Sequence, residues 1–425
     1  MEGYRKRIAD DVLQKRLAAK GAVLIEGPKA CGKTTTAEMQ ASSIIYINDP
    51  KQFQQNLILS EIDPEVLLEG DNPRLIDEWQ LTPKLWDAIR FSIDHRRKFG
   101  LYILTGSAVP ANTDEIHHTG TGRFSWMKMR PMSLYESGES TGEVSLSSLF
   151  NNPETAVRGT ASLSLKDIGF LICRGGWPLS LDVSSDVALR QSVDYVDAVI
   201  NEDISRVDGV KKNTSLVRRL MRVLARNQGT QVTIDSLVKD VSANETVVNS
   251  RATIASYLNA LKKIFVIEDM EAWNPKLRSK TAVRTSDTRY FIDPSIATAS
   301  LRLGPGDLIA DIETMGFLFE TLAVRDLRVY ADAIDADVYH YRDKSNLECD
   351  AVIHCRNGKY GLVEIKLGGD SLIDKGVDSL LKLRKNIDFE RMSSPSFLMV
   401  LTAVGTRAYR RPDGVLVVPI GALKN

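Results

Sequence analysis

The stretch Gly27-Pro28-Lys29-Ala30-Cys31-Gly32-Lys33-Thr34 decides the fold of the N-terminal part of the chain. It fits the pattern GxxxxGK[ST], in which a glycine-containing loop wraps its backbone N–H groups around phosphates. The apolar run Ala22–Ile25 before the loop predicts a strand, and Thr34–Ala41 after it is compatible with a helix. We therefore predict an ATP site formed by these residues and Thr35. In that site Lys33 contacts the β- and γ-phosphates, and the Thr34 hydroxyl binds Mg²⁺.

Short apolar runs continue beyond this loop and alternate with polar, helix-compatible segments. The runs are Gly21–Glu26, Ile44–Ile47, Leu75–Ile76 and Leu101–Leu104. Such alternation is typical of βαβ units, so we predict an α/β fold with a parallel sheet. The alternative is that the loop matches the P-loop pattern by chance and that Lys33 is a solvated lysine at the start of a helix.

Two carboxylates follow the third apolar run. Hydrolysis of a phosphoanhydride needs one carboxylate near Mg²⁺ and another that orients or deprotonates water. We assign Asp77 to the first task and Glu78 to the second, with a helix N-cap and an acidic first turn as the alternative. The fourth run ends in Thr105-Gly106-Ser107, and either hydroxyl could lie between Glu78 and the γ-phosphate.

Composition excludes several classes of protein. The 425 residues include 55 basic and 55 acidic side chains, so no global positive field attracts nucleic acid, although local basic patches stay open. No apolar run reaches the ~18–20 residues of a membrane span. The charged start Glu2–Lys6 shows no signal peptide, and the cysteines and histidines show no metal-site spacing. We expect a cytoplasmic, multidomain protein without a membrane partner.

The order of patterns predicts four segments. They are an ATPase domain over residues 1–136, a connector and helical region over 137–210, a winged-helix-like domain over 211–300 and an α/β domain over 301–425. Residues 137–165 are rich in Ser, Gly and Thr, so we interpret them as a connector or a mobile insertion.

The third segment shows helix, short helix, longer helix and two strands, which is the order of a winged helix. The recognition-helix candidate, Val247–Lys263, carries polar residues suited to phosphate and base contacts, and the wing would be the basic stretch with Lys276, Arg278, Lys280 and Arg284. DNA is the partner this predicts, with a protein-interaction or spacer module as the alternative. The Arg218, Arg222 and Arg226 stripe is interpreted as a solvated face.

The last segment places carboxylates on two neighbouring strand-like runs. Asp350 lies in Glu348–His354, and the two-residue period of Tyr360–Leu367 puts Glu364 and Lys366 on one face. Asp350 could lie close to both of these residues. The alternative is a solvent-facing strand with a cross-strand ion pair.

Residues 21–135 resemble the AAA-type (AAA+ superfamily) P-loop ATPase domain of a large group of prokaryotic proteins whose C-terminal domain is of unassigned function. The resemblance rests on the P-loop, Thr105-Gly106-Ser107, Gly122-Arg123, the segment Pro131–Glu136 and Gly175-Gly176-Trp177-Pro178. It implies that an arginine approaches the γ-phosphate, often from a neighbouring subunit. Arg123 is the first choice and Arg130 the second, and a homo-oligomer would be needed for a contact between subunits.

The C-terminal segment resembles the PD-(D/E)xK nuclease-like core. The resemblance implies that Asp350 and Glu364 coordinate Mg²⁺ or Mn²⁺, that Lys366 positions water, and that Glu320 completes the metal site. Cys349 stands where the usual proline would precede the aspartate. A nuclease fold that no longer cuts, and serves as a docking module, is the alternative.

Together these features predict a Mg²⁺-dependent ATPase whose nucleotide state controls a nuclease-like, nucleic-acid-binding domain. The alternative is an ATP-driven switch that binds protein partners and whose C-terminal domain is catalytically inactive. The expected fold is a P-loop NTPase sheet, then a helical and winged-helix region, then a PD-(D/E)xK-like α/β domain.

Overall fold

A computed structural model describes the chain except residues 1–2, 108–119, 154–156, 208, 244–248 and 276–285. The predicted wing cations, Lys276, Arg278, Lys280 and Arg284, therefore lie outside the described residues, as does the start of the predicted recognition helix. The chain divides into two compact units. The first consists of Met1–Arg130, Asn201–Lys212 and Leu258–Val266, and the second of Pro131–Ile200, Asn213–Tyr257 and Ile267–Asn425.

The first unit is built on a parallel sheet, as in a P-loop NTPase. Its five strands are ordered β2-β3-β4-β1-β5, and every pair is parallel. Apolar side chains of the central strands β1 and β4 are almost fully buried, as expected where helices cover both faces of a sheet. The elements are α1 (Ile8–Leu17), β1 (Ala22–Glu26), α2 (Lys33–Glu38), β2 (Ser43–Tyr46), α3 (Phe53–Ile62), β3 (Arg74–Asp77), α4 (Leu85–Arg96), β4 (Tyr102–Gly106) and β5 (Phe124–Lys128).

Strand β5 lies in a region that the sequence presents as polar and rich in turns. Phe124 and Met127 are buried, whereas Trp126 is 46% exposed, because β5 is an edge strand. Phe124 stacks on Trp86 of α4 with ring centroids 3.9 Å apart. Two buried apolar residues in five are too weak a pattern to predict a strand from sequence alone.

Helices dominate the middle of the chain. Several begin with side-chain caps, such as Ser164, which accepts from the Asp167 N–H, and Asn213, which accepts from the Leu216 N–H. The elements are α5 (Leu134–Ser137), β6 (Val144–Ser145), α6 (Leu146–Asn151), β7 (Gly159–Thr160), α7 (Leu165–Arg174), α8 (Ser185–Ala198), α9 (Ile204–Arg206), α10 (Thr214–Arg226), α11 (Ile234–Val241), α12 (Arg251–Lys263), β8 (Ile267–Met270), β9 (Thr288–Phe291), α13 (Pro294–Leu301) and α14 (Pro305–Ala310).

The succession α10, α11, α12 and the antiparallel hairpin β8-β9 follows the order predicted for residues 211–300. Helix α12 begins at Arg251, later than the predicted Val247. The winged-helix interpretation itself stays a prediction.

A buried ion network joins distant parts of the second unit. We call Asp293, Arg325 and Asp326 the Arg325 network. Arg325 donates to Asp293 Oδ2 at 2.8 Å and to Asp326 Oδ1 at 2.7 Å, and the three side chains are at most 2% exposed. Backbone N–H groups of Gly176 and Leu134 donate to the two carboxylates, both at 2.9 Å.

The Gly-Gly-Trp-Pro element packs closely beside this network, and its second glycine has a structural reason. A Cβ on Gly176 would lie 2.2 Å from the Met132 carbonyl oxygen, so a side chain has no room there. The Gly176 carbonyl in turn accepts from the Met132 N–H at 2.7 Å. The element and the segment Pro131–Glu136 are therefore tied together structurally.

The C-terminal part forms a mixed seven-stranded sheet of order β10-β11-β12-β13-β15-β14-β7. Strands β10, β11 and β12 are antiparallel, whereas β12-β13 and β13-β15 are parallel. The elements are α15 (Ile312–Ala333), β10 (Ala336–Arg342), β11 (Glu348–Cys355), β12 (Tyr360–Lys366), α16 (Asp370–Asn386), β13 (Phe397–Thr402), β14 (Arg407–Arg410), β15 (Leu416–Pro419) and β16 (Leu423–Lys424).

Parts of residues 137–165, interpreted from the sequence as a connector or a mobile insertion, pair with strands of the C-terminal part. Strand β7 extends the C-terminal sheet beside β14, and β6 pairs in parallel with β16. Leu146 is fully buried and Phe150 packs edge-on against Phe397 at 5.0 Å. Within this Ser- and Gly-rich segment, the buried apolar side chains are those of Val144, Leu146, Leu149 and Phe150 among the described residues.

In the described part of the chain, no helix is both long enough and apolar enough to cross a membrane.

Candidate nucleotide site and acidic cluster

The predicted phosphate-binding loop connects β1 to α2, as the sequence indicates. A Cβ on Gly27 would lie 2.1 Å from the Met129 carbonyl oxygen, and Gly32 has φ +100° at the N-cap of α2. Both positions therefore require glycine, one for close approach and one for a left-handed backbone. Lys33 is buried, and its Nζ donates to the Pro28 carbonyl oxygen at 2.8 Å.

Arg7 supports this loop, which the sequence pattern did not indicate. Its side chain is buried and donates to the carbonyl oxygens of Cys31 at 2.8 Å and Arg130 at 2.9 Å. A guanidinium with several donors in a fixed geometry can hold two carbonyl groups at once. Arg7 thus connects the segment before α1 to the P-loop and to Arg130, two residues after the end of β5.

Thr34, Asp77 and Thr105 meet at the carboxyl edge of the sheet. Thr34 Oγ1 donates to Asp77 Oδ1 at 2.8 Å, and Thr105 Oγ1 donates to the same oxygen. The parallel register places Asp77 beside Thr105 on β3 and β4. The predicted magnesium residues are therefore brought together, and Thr105 is directed at Asp77 rather than at Glu78.

Glu78 follows β3 in a left-handed backbone conformation, with φ +57° and ψ +42°. Such a conformation is uncommon for a residue other than glycine and marks positions where the surrounding structure dictates the backbone. Its Oε2 accepts from Gln80 Nε2 and, at 3.4 Å, from the Ser107 hydroxyl. Ser107, the second hydroxyl considered from the sequence, is therefore the one beside Glu78.

Lys29 extends out of the P-loop to Asp203. Its Nζ lies 2.5 Å from Asp203 Oδ1, and the Asp203 side chain is 11% exposed against 49% for Lys29. Asp203 lies far along the sequence, in the Asn201–Lys212 part of the first unit. No sequence pattern indicated this contact.

The two arginines considered for the γ-phosphate lie at opposite edges of the sheet. Strand β5 runs parallel to β1, with Phe124 beside Ala22 and Lys128 beside Glu26. Arg123 therefore sits at the amino edge, away from the P-loop that follows Glu26, and its Nε donates to Asp94 at 2.8 Å. The structure does not bring Arg123 to the site of its own chain, whereas Arg130 follows the carboxyl end of β5.

Asp350, Glu364 and Lys366 meet on strands β11 and β12, and we call them the Lys366 cluster. Lys366 Nζ lies 2.9 Å from Asp350 Oδ2 and 2.6 Å from Glu364 Oε2. The register pairs Ala351 with Val363, so it places Asp350 opposite Glu364. Asp350 also accepts from the Ile365 N–H at 2.7 Å. The geometry agrees with the face and strand pairing predicted from the sequence.

The Lys366 cluster is electrostatically unbalanced. Burial and then the negative charge of Asp350 raise the pKa of Glu364 to about 8, and the same causes raise that of Glu320 to about 8. Burial opposes ionisation of Lys366, but Asp350 and Glu364 raise its pKa well above the usual value. Glu364 Oε1 is buried without a hydrogen-bond partner. A buried carboxylate oxygen without a donor is costly in this setting.

Glu320 comes from a helix rather than from the two strands that carry Asp350 and Glu364. It lies on α15, and the Tyr290 hydroxyl donates to its Oε1 at 2.6 Å. Across the described residues, no three His, Cys, Asp or Glu side chains are arranged to hold a metal ion. The pair Asp350 and Glu364, with the orphan oxygen of Glu364, has the oxygen chemistry that Mg²⁺ and Mn²⁺ prefer.

Residues 19–138 match an AAA domain. This match supports ATP binding by the P-loop domain. Residues 165–307 and 315–423 match two further families, each described as a domain of unknown function (DUF8612 and DUF4143).

Two solved structures are similar to the chain at low identity. The Walker-type ATPase paby2304 of Pyrococcus abyssi is 15% identical with a TM-score of 0.43, over 71% of this chain and 97% of that one. A structure of Drosophila ORC bound to DNA is 12% identical with a TM-score of 0.17, over 69% of this chain and 85% of that one. Neither superposition is close enough to support an argument about function. No curated protein matches the chain.

Proposed function

We propose that the chain hydrolyses ATP with Mg²⁺ and that its nucleotide state controls a nuclease-like activity of the C-terminal domain. The observation that supports the ATPase most directly is the meeting of Thr34, Asp77 and Thr105 beside the P-loop. A hydroxyl and a carboxylate at this position suit Mg²⁺ bound to the β- and γ-phosphates of ATP.

In this proposal Lys33 and the loop N–H groups bind the phosphates, and Thr34 and Asp77 hold Mg²⁺. Glu78 accepts a proton from the attacking water, since its carboxylate follows the same strand as Asp77. Thr105 acts as a positioning residue for Asp77. Arg130 is the arginine we assign to the γ-phosphate in the same chain. Arg123 would instead contact the γ-phosphate bound by a neighbouring copy of the chain.

The test measures phosphate release from ATP and, separately, ATP binding. Lys33→Ala should abolish binding, because the loop loses the ammonium assigned to the β- and γ-phosphates, and its other lysine, Lys29, pairs with Asp203. Glu78→Gln should retain binding but lose turnover by about 10²–10³-fold, as expected when a general base is removed. Glu65→Gln, an exposed glutamate of the same unit, is the matched control. Normal turnover in Glu78→Gln would disprove the assignment of the base.

The proposal for the C-terminal domain rests on the Lys366 cluster. Asp350 and Glu364 would hold Mg²⁺ or Mn²⁺, with Glu320 as a third carboxylate, and the cation would activate water against a phosphodiester. Lys366 contacts both carboxylates and would donate to the water or the phosphate oxygen. DNA contact through residues 211–300, including the exposed Arg251 on α12, belongs to the same proposal.

Nicking of supercoiled plasmid with Mg²⁺ or Mn²⁺, with and without ATP, tests this part. Asp350→Asn should abolish nicking. The control is Asp337→Asn, which changes an exposed aspartate on the neighbouring strand β10 and should leave nicking unchanged. Dependence of the rate on ATP in the wild type, and its loss in Lys33→Ala, would demonstrate control by the nucleotide.

A second candidate function is an ATP-driven switch that binds protein partners and does not cut. Lys366 already neutralises part of the charge of Asp350 and Glu364, and no three-residue metal group is found among the described residues. Under this candidate, no DNA or RNA is cleaved with any divalent cation or nucleotide, while ATP turnover persists.

A further inference from the structure

An arginine-lined cleft lies within the second unit, between α8, α10 and the turn after α13. Its volume is about 500 Å³. Sites for small ligands typically measure about 300–1,000 Å³ and combine apolar walls with a few polar groups. The cleft belongs to the segment matched as a domain of unknown function, outside the AAA domain.

The floor of the cleft is apolar. Val196, Ile200 and Met221 are at most 4% exposed, and Val193 beside them is 38% exposed. Leu303, which follows the end of α13, also lines the cleft. These side chains provide a surface on which a flat or apolar body could pack.

The rim of the cleft is cationic. Arg218, Arg222 and Arg302 line it together with a single carboxylate, Asp197. Arg218 contacts Asp197 Oδ1 at 3.2 Å. Within the described part of the chain, the guanidinium groups of Arg222 and Arg302 have no hydrogen-bond or ion-pair partner. The lining therefore has an excess of two positive charges over Asp197.

An occupant must satisfy both features. Guanidinium groups bind phosphate with paired hydrogen bonds and also stack on aromatic rings. An apolar ligand would leave the two guanidinium charges unmatched, and a bare inorganic anion would leave the apolar floor exposed. A phosphate joined to an aromatic base meets both requirements.

We propose that this cleft binds a nucleoside monophosphate. The phosphate contacts Arg222 and Arg302, and the base packs on the floor around Met221. The site is distinct in sequence and chemistry from the P-loop, since it contains neither a glycine-rich loop nor a magnesium residue. The Arg218 and Arg222 part of the stripe, interpreted from sequence as a solvated face, thus contributes to a binding site.

The test uses the full chain with Lys33→Ala, which removes nucleotide binding at the P-loop. Calorimetric titration is carried out with the 5′-monophosphates of adenosine, guanosine, cytidine and uridine, and with adenosine and inorganic phosphate alone. At least one monophosphate should bind with a stoichiometry of one, at least tenfold more tightly than adenosine or phosphate. The additional change Arg222→Ala with Arg302→Ala should weaken this binding at least tenfold.

The matched control is Arg226→Ala with Lys239→Ala, which removes two positive charges from exposed positions of α10 and α11. This control should leave binding unchanged. Retained affinity in the Arg222 and Arg302 variant, equal loss in the control, or no saturable binding of any monophosphate would each overturn the proposal. Phosphate alone binding as tightly as the nucleotides would overturn the assignment of a base site. Unfolding curves of both variants verify that they are folded.

Discussion

The Arg325 network and the Lys366 cluster each combine two carboxylates with one basic side chain, yet they differ in how completely their polar groups are hydrogen-bonded. In the Arg325 network, backbone N–H groups and the guanidinium donate to both aspartates. In the Lys366 cluster one ammonium faces Asp350 and Glu364, and Glu364 Oε1 has no donor.

The difference separates a structural ion group from a candidate functional one. Buried polar groups in folded proteins are nearly all hydrogen-bonded, so an exception calls for an explanation. The Arg325 network fixes the Gly-Gly-Trp-Pro turn against Pro131–Glu136. In the Lys366 cluster, the raised pKa values of Glu364 and Glu320 show that further negative charge beside Asp350 is unfavourable. Under the proposal above, a divalent cation would offset that charge.

The largest effect is expected from removing the central cation of each group. Arg325→Met leaves Asp293 and Asp326 buried without their counterion, and should lower the free energy of unfolding by about 3–5 kcal/mol. Lys366→Met should cost less, since the Lys366 cluster is partly exposed and its acids can bind protons. Urea denaturation of both variants measures the loss in free energy of unfolding. Equal losses would contradict the distinction between the two groups.

Addition of Mg²⁺ or Mn²⁺ should stabilise the chain through the Lys366 cluster alone. A ligand present at 100 times its Kd raises the free energy of unfolding by about 2.7 kcal/mol. We expect a rise in melting temperature without ATP in a Lys33→Ala background, and its loss in Glu364→Gln. If Glu364→Gln keeps the full shift, the cation binds elsewhere.

The pH dependence of stability should also distinguish the two groups. The raised pKa values of Glu320 and Glu364 mean that the folded chain keeps protons which the unfolded chain releases above about pH 4.5. The stability they contribute is complete below that pH and is lost as pH rises through about 8, by up to about 1.4 kcal/mol per pH unit for each proton.

Urea denaturation in EDTA across this range, for wild type and for Glu320→Gln with Glu364→Gln, measures the slope. The variant should be flatter between pH 5 and 8. An unchanged slope would show that the two glutamates ionise normally.

The smallest effect is expected at the edge of the Lys366 cluster. Tyr290→Phe removes the hydroxyl that donates to Glu320, which should lower the free energy of unfolding by about 1 kcal/mol. It should also weaken Mg²⁺ binding only slightly, because Asp350 and Glu364 are untouched. A loss of Mg²⁺ binding as large as in Glu364→Gln would show that Glu320 is as important for the cation as Glu364.

The sequence predicts best what depends on neighbouring residues. The P-loop, the strands around it and the shared face of Glu364 and Lys366 follow from local periodicity, and the structure contains them. The fold class, a parallel P-loop sheet followed by helical and α/β regions, is confirmed at this level. Strand β5 could not be predicted from the sequence, because only two of its residues are buried.

Contacts between distant residues could not be predicted in this way. Arg7 and Asp203 lie far from the P-loop in sequence, and neither forms part of a periodic pattern. The resemblance to AAA-type ATPases favours Arg123 for the γ-phosphate, but the direction of β5 places Arg123 at the opposite edge of the sheet from the P-loop. Asp293, Arg325 and Asp326 carry no motif, because their partners are set by the packing of α13 and α15.

The pairing of β6 with β16 has a consequence for synthesis on the ribosome. Ser140 Oγ donates to the Leu423 carbonyl oxygen at 2.7 Å, and Thr141 N–H to that of Gly421 at 2.8 Å. Residues 140–145 emerge long before these partners exist, so β6 can pair with β16 only when residues 421–424 have left the exit tunnel. Until then the nascent chain presents unpaired strand edges, which are sites of aggregation. Separate expression of residues 301–425 would create the complementary defect, because β16 and β14 would lack their partners β6 and β7.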